Sequence, residues 1–247
     1  MREDLVFREI YVSMYQIPFT YIHLIISWLF TRAKRRQQTR TISFAMAHSA
    51  LVPAIQALSD INCPQGKILT KQFLQLCATI LPVLDKLGPT MAVIRSDIGG
   101  NIQRLDDMYE SSKSEYAFLY EIVRKEAAQG TAKKPLSCTK AVLWLTRGME
   151  FMIVLLGTLV EQEEWSLKQA VEYAYNTTLK QWHGWISTAA SNVGLKLIPE
   201  RQNFMKLLGD TTNFKEDVDK LSASLSPLLQ ANHAFLQSLR LNRMKSS

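Results

Sequence analysis

The sequence has few of the residues that mark catalytic and metal sites. Its 247 residues include only four histidines and three cysteines, Cys63, Cys77 and Cys138, which are widely spaced and form no CxxC pair. It contains no GxSxG, no HExxH and no glycine loop of the kind that cradles phosphate. We therefore expect no enzyme, no metal and no cofactor, and we expect free thiols in a reducing compartment.

Glycine and proline are also scarce, with ten and eight copies, and no stretch alternates polar and apolar residues as a strand would. Apolar residues instead recur every three or four positions, which favours an all-α fold. An apolar fraction of 47% and a charged fraction of 21% are typical of a globular chain. The length suits one substantial domain.

Turn sequences such as "NCPQG" and "IPE" separate the segments with helical spacing. The predicted helices cover 46–59, 69–86, 89–109, 113–128, 136–162, 166–192, 200–208 and 214–238. The helix over 136–162 is apolar on more than one face, so we expect it at the centre of the fold. Because Arg147 and Glu150 lie inside it, we interpret it as a buried helix and not as a membrane span.

Residues 1–45 differ from the rest of the chain. They contain an apolar segment, 10–30, followed by a basic cluster, 32–40, and they carry +4 of the net charge of +7. Taken alone, this order resembles a signal anchor more than a cleaved signal peptide, but we favour an extension peripheral to the function. We predict one domain over residues 46–247, and residues 1–45 lie outside it. Its small net charge gives no reason to expect nucleic-acid binding.

The stretch "RSDIGGNIQRLDDMY" carries the first polar cluster. Asp97, Asn101 and Arg104 are spaced i, i+4, i+7 and share one helix face. Their side chains can bind neighbouring hydroxyl groups, but a solvated face with an Asp–Arg pair has the same pattern. Gly99 and Gly100 each cost a helix about 1 kcal/mol relative to alanine. Two in succession suggest that another backbone or a ligand approaches closely.

The most apolar helix carries the second cluster. Lys140, Trp144 and Arg147 share a face there. A tryptophan with a cation about one turn away on each side can be core flanked by extended basic side chains. It can also be a flat platform that stacks against a sugar, with the charges at the rim.

The third cluster lies in "TLKQWHGWISTAA", where His183 stands between Trp182 and Trp185. On a helix these three side chains point in different directions. His183 can be structural or can belong to a site, and Trp185 can face solvent or a membrane.

Taken together, "SDIGGNI", "LWLTRGMEF" and "AYNTTLKQWHGW" resemble the signature segments of the glycolipid transfer protein family, and "LIPERQNFMKLLG" continues the likeness. The resemblance covers about residues 46 to 240. It implies a two-layer, all-α sandwich of about eight helices with one sphingolipid site. In that family the sugar–amide head group is held at the surface and the hydrocarbon chains enter a collapsible apolar pocket.

The resemblance also implies a role for each head-group residue. Asp97 and Asn101 are expected to bind sugar hydroxyls, beside Arg104, which replaces the family's usual lysine. Trp144 is expected to stack against the sugar ring. His183 is expected to bond the ceramide amide oxygen while Asp97 takes the amide N–H.

Further positions carry over with less specific roles. Lys140 and Arg147 are candidates for the head-group rim, and Trp185 and Lys196 for the membrane interface. The positions that align with chain-contacting residues, each of which equally fits ordinary core, are Met91, Ile94, Leu179 and Phe204.

Trp144 favours a neutral sugar, because the ceramide-1-phosphate branch of the family has arginine there. Three further features depart from the family's usual pattern: Lys140, Lys196, which stands where an interfacial tyrosine is usual, and the C-terminus "LRLNRMKSS", which lacks the aromatic ending of animal members. The resemblance implies a monomeric, cytoplasmic carrier of a glucosylceramide-like lipid that contacts membranes transiently, unless 10–30 anchors it. The alternatives are a glycosphingolipid sensor or tethered scaffold, a ceramide-1-phosphate carrier, and a lipid hydrolase that uses Asp97 and His183 as an acid–base pair.

Overall fold

The structure is a computed structural model that describes residues 49–59, 61, 67–86, 92–182, 198–209 and 212–245, without the side chains of Val93 and Ile94. The predictions for the apolar segment 10–30 and the basic cluster 32–40 lie outside these residues.

The described residues confirm the all-α class. Apart from one isolated β-bridge between Leu69 and Phe118, the regular secondary structure among them is helical. The α-helices are α1 (Val52–Ser59), α2 (Thr70–Ala78), α3 (Leu81–Lys86), α4 (Ala92–Ser111), α5 (Leu119–Ala128), α6 (Cys138–Glu161), α7 (Leu167–Thr178), α8 (Arg201–Leu207) and α9 (Phe214–Ser238), with a 3₁₀ turn over Lys180–Trp182 after α7.

Helix α6 lies at the centre, as predicted, and packs against α4, α5, α7 and α9. By length and composition it is the one helix among the described residues that qualifies as a candidate membrane span, but most of it is buried inside the protein. Two side chains satisfy its first N–H groups. Ser137 Oγ accepts from Lys140 N at 3.1 Å, and the buried Glu126 carboxylate of α5 accepts from Cys138 N and Thr139 N at 2.8 and 2.7 Å. A carboxylate there also complements the positive end of the helix dipole.

A buried polar network joins α5, α6 and α9. Asn232 of α9 donates to Thr146 of α6 at 3.1 Å and accepts from Tyr120 of α5 at 3.0 Å. Asn232 and Thr146 are both fully buried. Because each polar group has a partner, the network fixes the register of these helices without an unsatisfied buried donor or acceptor between them.

The single helix predicted over 69–86 is wrong, because the chain forms two helices there. α2 ends at Ala78 and α3 begins at Leu81, with a turn closed by hydrogen bonds from Thr79 N to Leu76 O and from Ile80 N to Cys77 O. Pro82 is the physical reason. It has no N–H to offer the Ala78 carbonyl, and its ring opposes a continuous helix at that point.

The start predicted for the helix over 113–128 is also wrong, since α5 begins at Leu119. The chain before it is extended at Phe118, where φ is −107° and ψ is 131°. Here it pairs with the start of α2, as Leu119 N donates to Ile68 O and Thr70 N to Ala117 O, each at 2.9 Å. This long-range pairing takes precedence over the local helical pattern.

The C-terminal tail, residues 241–245, turns back after α9. Arg240 adopts a positive φ of 56°, and Leu241 N donates to Leu236 O at 2.8 Å, which closes the helix end. Leu241 is buried. This turn directs the tail across α6.

Candidate functional site

The first polar cluster forms one hydrogen-bonded row on α4. Asn101 Nδ2 donates to Asp97 Oδ2 at 3.0 Å, and Arg104 Nη1 donates to Asn101 Oδ1 at 2.9 Å. Asn101 is buried, whereas Asp97 is exposed. The row therefore holds the Asn101 amide in one orientation and presents a carboxylate at its open end.

Desolvation raises the pKa of Asp97 above its ordinary value, and the charge of Arg104 and the hydrogen bond from Asn101 oppose that rise. The carboxylate thus lies at a surface position that neighbouring protein atoms partly shield from water. A shielded carboxylate is a stronger acceptor toward a hydroxyl or amide N–H than one in bulk water.

Two contacts set the register between α4 and α6. Cys138 Sγ lies 3.8 Å from Arg104 O, and a methyl group built at Gly148 would lie 3.4 Å from Ile98 Cδ1. The helices are therefore antiparallel. Trp144, one turn before Gly148, therefore falls at about the level of Asn101 along this antiparallel pair.

The described residues make no close approach to the two glycines of α4. None of their atoms outside α4 lies within 4 Å of a methyl group built at Gly99 or Gly100, so the close approach of a backbone or a ligand stays a prediction. The close helix contact is instead at Gly148. Its position in the middle of α6, where glycine costs about 1 kcal/mol, was the available signal.

Arg147 is a candidate for the rim of the head-group site in the sequence analysis, but in the structure its side chain is fully buried. Its guanidinium carbon lies 5.0 Å from the centroid of the Trp144 ring and 3.8 Å from that of Trp182. Nη1 donates to Met244 O and Nη2 to Asn242 O, each at 2.8 Å. Desolvation lowers the pKa of Arg147 to about 10, opposed by Glu150 nearby.

A second interaction joins the tail to the same turn of α6. The Glu150 carboxylate lies 2.8 Å from His233 Nε2, and His233 Nδ1 lies 2.7 Å from Asn242 Oδ1. The hydrogen bond to Glu150 raises the pKa of His233, while burial opposes the rise. The sequence patterns gave no signal for this group, since its members belong to three separate segments.

The remaining predicted residues divide by whether the structure describes them. Lys140 is half-buried on the first turn of α6, and Leu179 and Phe204 are buried among other apolar side chains. The predictions that lie outside the described residues concern His183, Trp185, Lys196, Met91 and the side chain of Ile94.

A cavity of about 310 Å³ lies between Phe118 and Phe235, with Lys67 and Arg124 at its edges. None of the predicted site residues lines it. Across the described ranges, no group of three His, Cys, Asp or Glu side chains is arranged to hold a metal ion.

Comparison with known proteins agrees with the likeness seen in the motifs. The profile of the glycolipid transfer protein (GLTP) family matches residues 68–210. Glycolipid transfer protein 1 of Arabidopsis thaliana is 41% identical over 202 residues, which are 82% of this chain and all of the relative.

Solved structures have the same fold. The one that describes how FAPP2 selects simple glycosphingolipids using the GLTP-fold has a TM-score of 0.73 and 26% identity, over 81% of this chain and 100% of that one. Arabidopsis ACD11 complexed with C12 ceramide-1-phosphate has a TM-score of 0.71 and 21% identity, over 79% of this chain and 98% of that one. The sequence match and the fold lead to one conclusion: this chain belongs to the glycolipid transfer protein family.

Proposed function

We propose that this protein binds a glycosphingolipid by its head group and carries it between membranes without breaking a bond. The observation that carries the proposal is the row of Asp97, Asn101 and Arg104 on α4, set at the level of Trp144 on α6. An acceptor, an amide, a cation and an indole at one level of the α4–α6 pair together suit a pyranose ring, which offers both hydroxyl groups and a C–H face.

The chemistry of that row favours hydroxyl groups. Asp97 accepts hydrogen bonds, the Asn101 amide keeps one N–H for a ligand, and Arg104 supplies further donors. A site of this kind rejects a lipid without hydroxyls, because its polar groups would lose water and gain no partner. The C–H face of a sugar packs on the Trp144 ring.

The hydrocarbon chains supply the driving force for the closed complex. Each buried methylene contributes about 0.8 kcal/mol, so a long acyl chain is held strongly once it is shielded from water. In this proposal the residues that contact the chains are Met91, Ile94, Leu179 and Phe204. The protein resides in the cytosol and contacts membranes only to load and release.

We assign contacts with the ceramide amide and with the membrane to the third cluster and to Lys196. His183 bonds the amide oxygen, and Trp185 and Lys196 contact the bilayer during uptake and release. A tryptophan at the lipid–water boundary and a lysine near anionic head groups are suited to that role.

We assign the head group to a single neutral hexose. Support comes from Trp144, and from the FAPP2 structure, which is described as selecting simple glycosphingolipids. Similarity to the ACD11 complex is below 25% identity and concerns the fold alone, so it does not favour a phosphate ligand.

The test is transfer between vesicles of fluorescent glucosylceramide, lactosylceramide and ceramide-1-phosphate by the full chain. We expect glucosylceramide to move fastest, and Trp144→Ala to lower its transfer by about tenfold or more, which corresponds to about 1.4 kcal/mol. Trp165→Ala is the matched control, since that indole packs on Tyr173 at the far end of α6.

Other outcomes would contradict parts of the proposal. Equal transfer of the glucosyl and lactosyl lipids would remove the preference for one hexose. Transfer of ceramide-1-phosphate alone would overturn the sugar assignment. Binding without transfer would mean a sensor in place of a carrier.

A further inference from the structure

A fully buried arginine needs compensation for its lost hydration. Arg147 obtains it from two main-chain carbonyls and from two indole faces, while its Nε has no hydrogen-bond partner among the described residues. An apolar side chain of similar volume usually fills such a position at least as stably. Packing of the core alone therefore does not account for a guanidinium here.

The contacts of this guanidinium join two parts of the molecule. One side touches Trp144 and Trp182, and the other holds the carbonyls of Asn242 and Met244. A planar fork with two anchored donors keeps one orientation, and a ring packed on it is restrained in turn.

The tail that supplies the carbonyls is itself held at two further points. Leu241 is buried after the left-handed turn at Arg240, and the Asn242 side chain bonds His233, which pairs with Glu150 of α6. The carbonyls thus come from a segment with a defined path, although they carry no signature in the sequence.

We propose that the C-terminal tail, acting through Arg147, positions the Trp144 indole for the head group. Arg147 and residues 242–244 are positioning residues of the site, and the tail is part of it. This inference rests on the proposed function and adds a specific element to it.

The experiment compares two truncations of the full chain. One ends after Leu241 and removes both carbonyls, whereas the control ends after Lys245 and keeps them. The first is expected to lower glucosylceramide binding and transfer by about tenfold. The second is expected to leave both unchanged.

Two substitutions keep the test decisive if the shorter chain fails to fold. Arg147→Met keeps the volume but removes the fork, so it is expected to preserve the unfolding temperature and weaken glucosylceramide binding. Arg147→Lys is expected to restore part of the binding, because an ammonium can still bond a carbonyl. An Arg147→Met variant that folds and binds as tightly as the wild type would overturn the proposal.

A readout without ligand separates this inference from the proposed function. The near-ultraviolet circular dichroism of Trp144 is obtained as the difference between each protein and its Trp144→Phe partner. This signal is expected to shrink when Arg147 is Met or the tail is removed. If the intact chain moves no sugar lipid but the signal responds, the proposed function fails and the positioning role stands. An unchanged signal contradicts the positioning role whatever the lipid.

Discussion

The two halves of α6 are both buried, but they are buried in different chemistry. The first half, residues 138–149, places Thr139, Thr146 and Arg147 in the interior, and each bonds another segment of the chain. The second half, 150–161, buries mainly leucine, methionine and phenylalanine, and the hydroxyl of its buried Thr158 donates to the Val154 carbonyl of its own helix.

This difference separates what holds the fold from what serves the site. Apolar burial in the second half is nondirectional and contributes to stability in proportion to its area. The polar contacts of the first half are directional, and those of Arg147 join Trp144 to the tail. We therefore expect changes in the second half to act on stability, and changes around Trp144 to act on the ligand.

The largest effect on stability is expected from Phe151→Ala in the apolar half. Its ring is buried, so its loss should lower the free energy of unfolding by about 3–5 kcal/mol. Denaturant unfolding measures this, with glucosylceramide binding assayed below the transition. If binding per folded molecule fell as much as it does in Trp144→Ala, the division between the halves would be wrong.

A smaller effect is expected from Glu126→Gln, which acts on the polar half from outside α6. The carboxylate accepts from Cys138 N, Thr139 N and Thr139 Oγ1, and an amide cannot accept at both ends. The expected loss is about 1–3 kcal/mol of unfolding free energy. Glu161→Gln, at the exposed opposite end of α6, is the control and should change stability by less than about 0.5 kcal/mol.

The smallest effect on stability is expected from Asp97→Asn, which should nevertheless weaken ligand binding. Because desolvation raises the folded-state pKa of Asp97 above its unfolded value, the ionised carboxylate opposes folding at neutral pH. That penalty shrinks as the pH falls below the folded pKa and is absent below the unfolded one. The variant should therefore match or slightly exceed the wild type in stability at neutral pH, within about 0.5 kcal/mol, and lose any advantage in acid.

Unfolding curves across pH, together with glucosylceramide binding, test this expectation. Asp107→Asn is the control, since Asp107 is exposed on the same helix and bonds only Gln103 among the described residues. A wild type that is clearly more stable than Asp97→Asn at neutral pH would show that the carboxylate serves the fold.

Local pattern predicted the parts of the structure that depend on local forces. α9 begins at Phe214 and ends at Ser238, as its spacing indicates, and the i, i+4, i+7 spacing placed Asp97, Asn101 and Arg104 in one row. Pro82, which lacks an N–H, was a signal for the break between α2 and α3. The strong apolar periodicity on both sides of it nevertheless predicted a single helix.

Long-range contacts explain what the sequence did not reveal. The late start of α5 depends on the pairing of Leu119 with Ile68, some fifty positions earlier. The environment of Arg147 depends on carbonyls 95 and 97 positions away. Nearly every residue has the same main-chain carbonyl, so the identity of a residue does not predict that its carbonyl will bond a distant side chain.

Gly148 has no side chain, so Ile98 of α4 packs directly against the main chain of α6 at this point. This contact limits how near α4 comes to α6, and so it bears on the spacing between the row of Asp97, Asn101 and Arg104 and the helix that carries Trp144. Helix axes in contact lie about 8–10 Å apart according to the side chains between them. If the proposed site is correct, the width available to a sugar ring depends on the absence of a single methyl group at Gly148, one turn beyond Trp144 on α6.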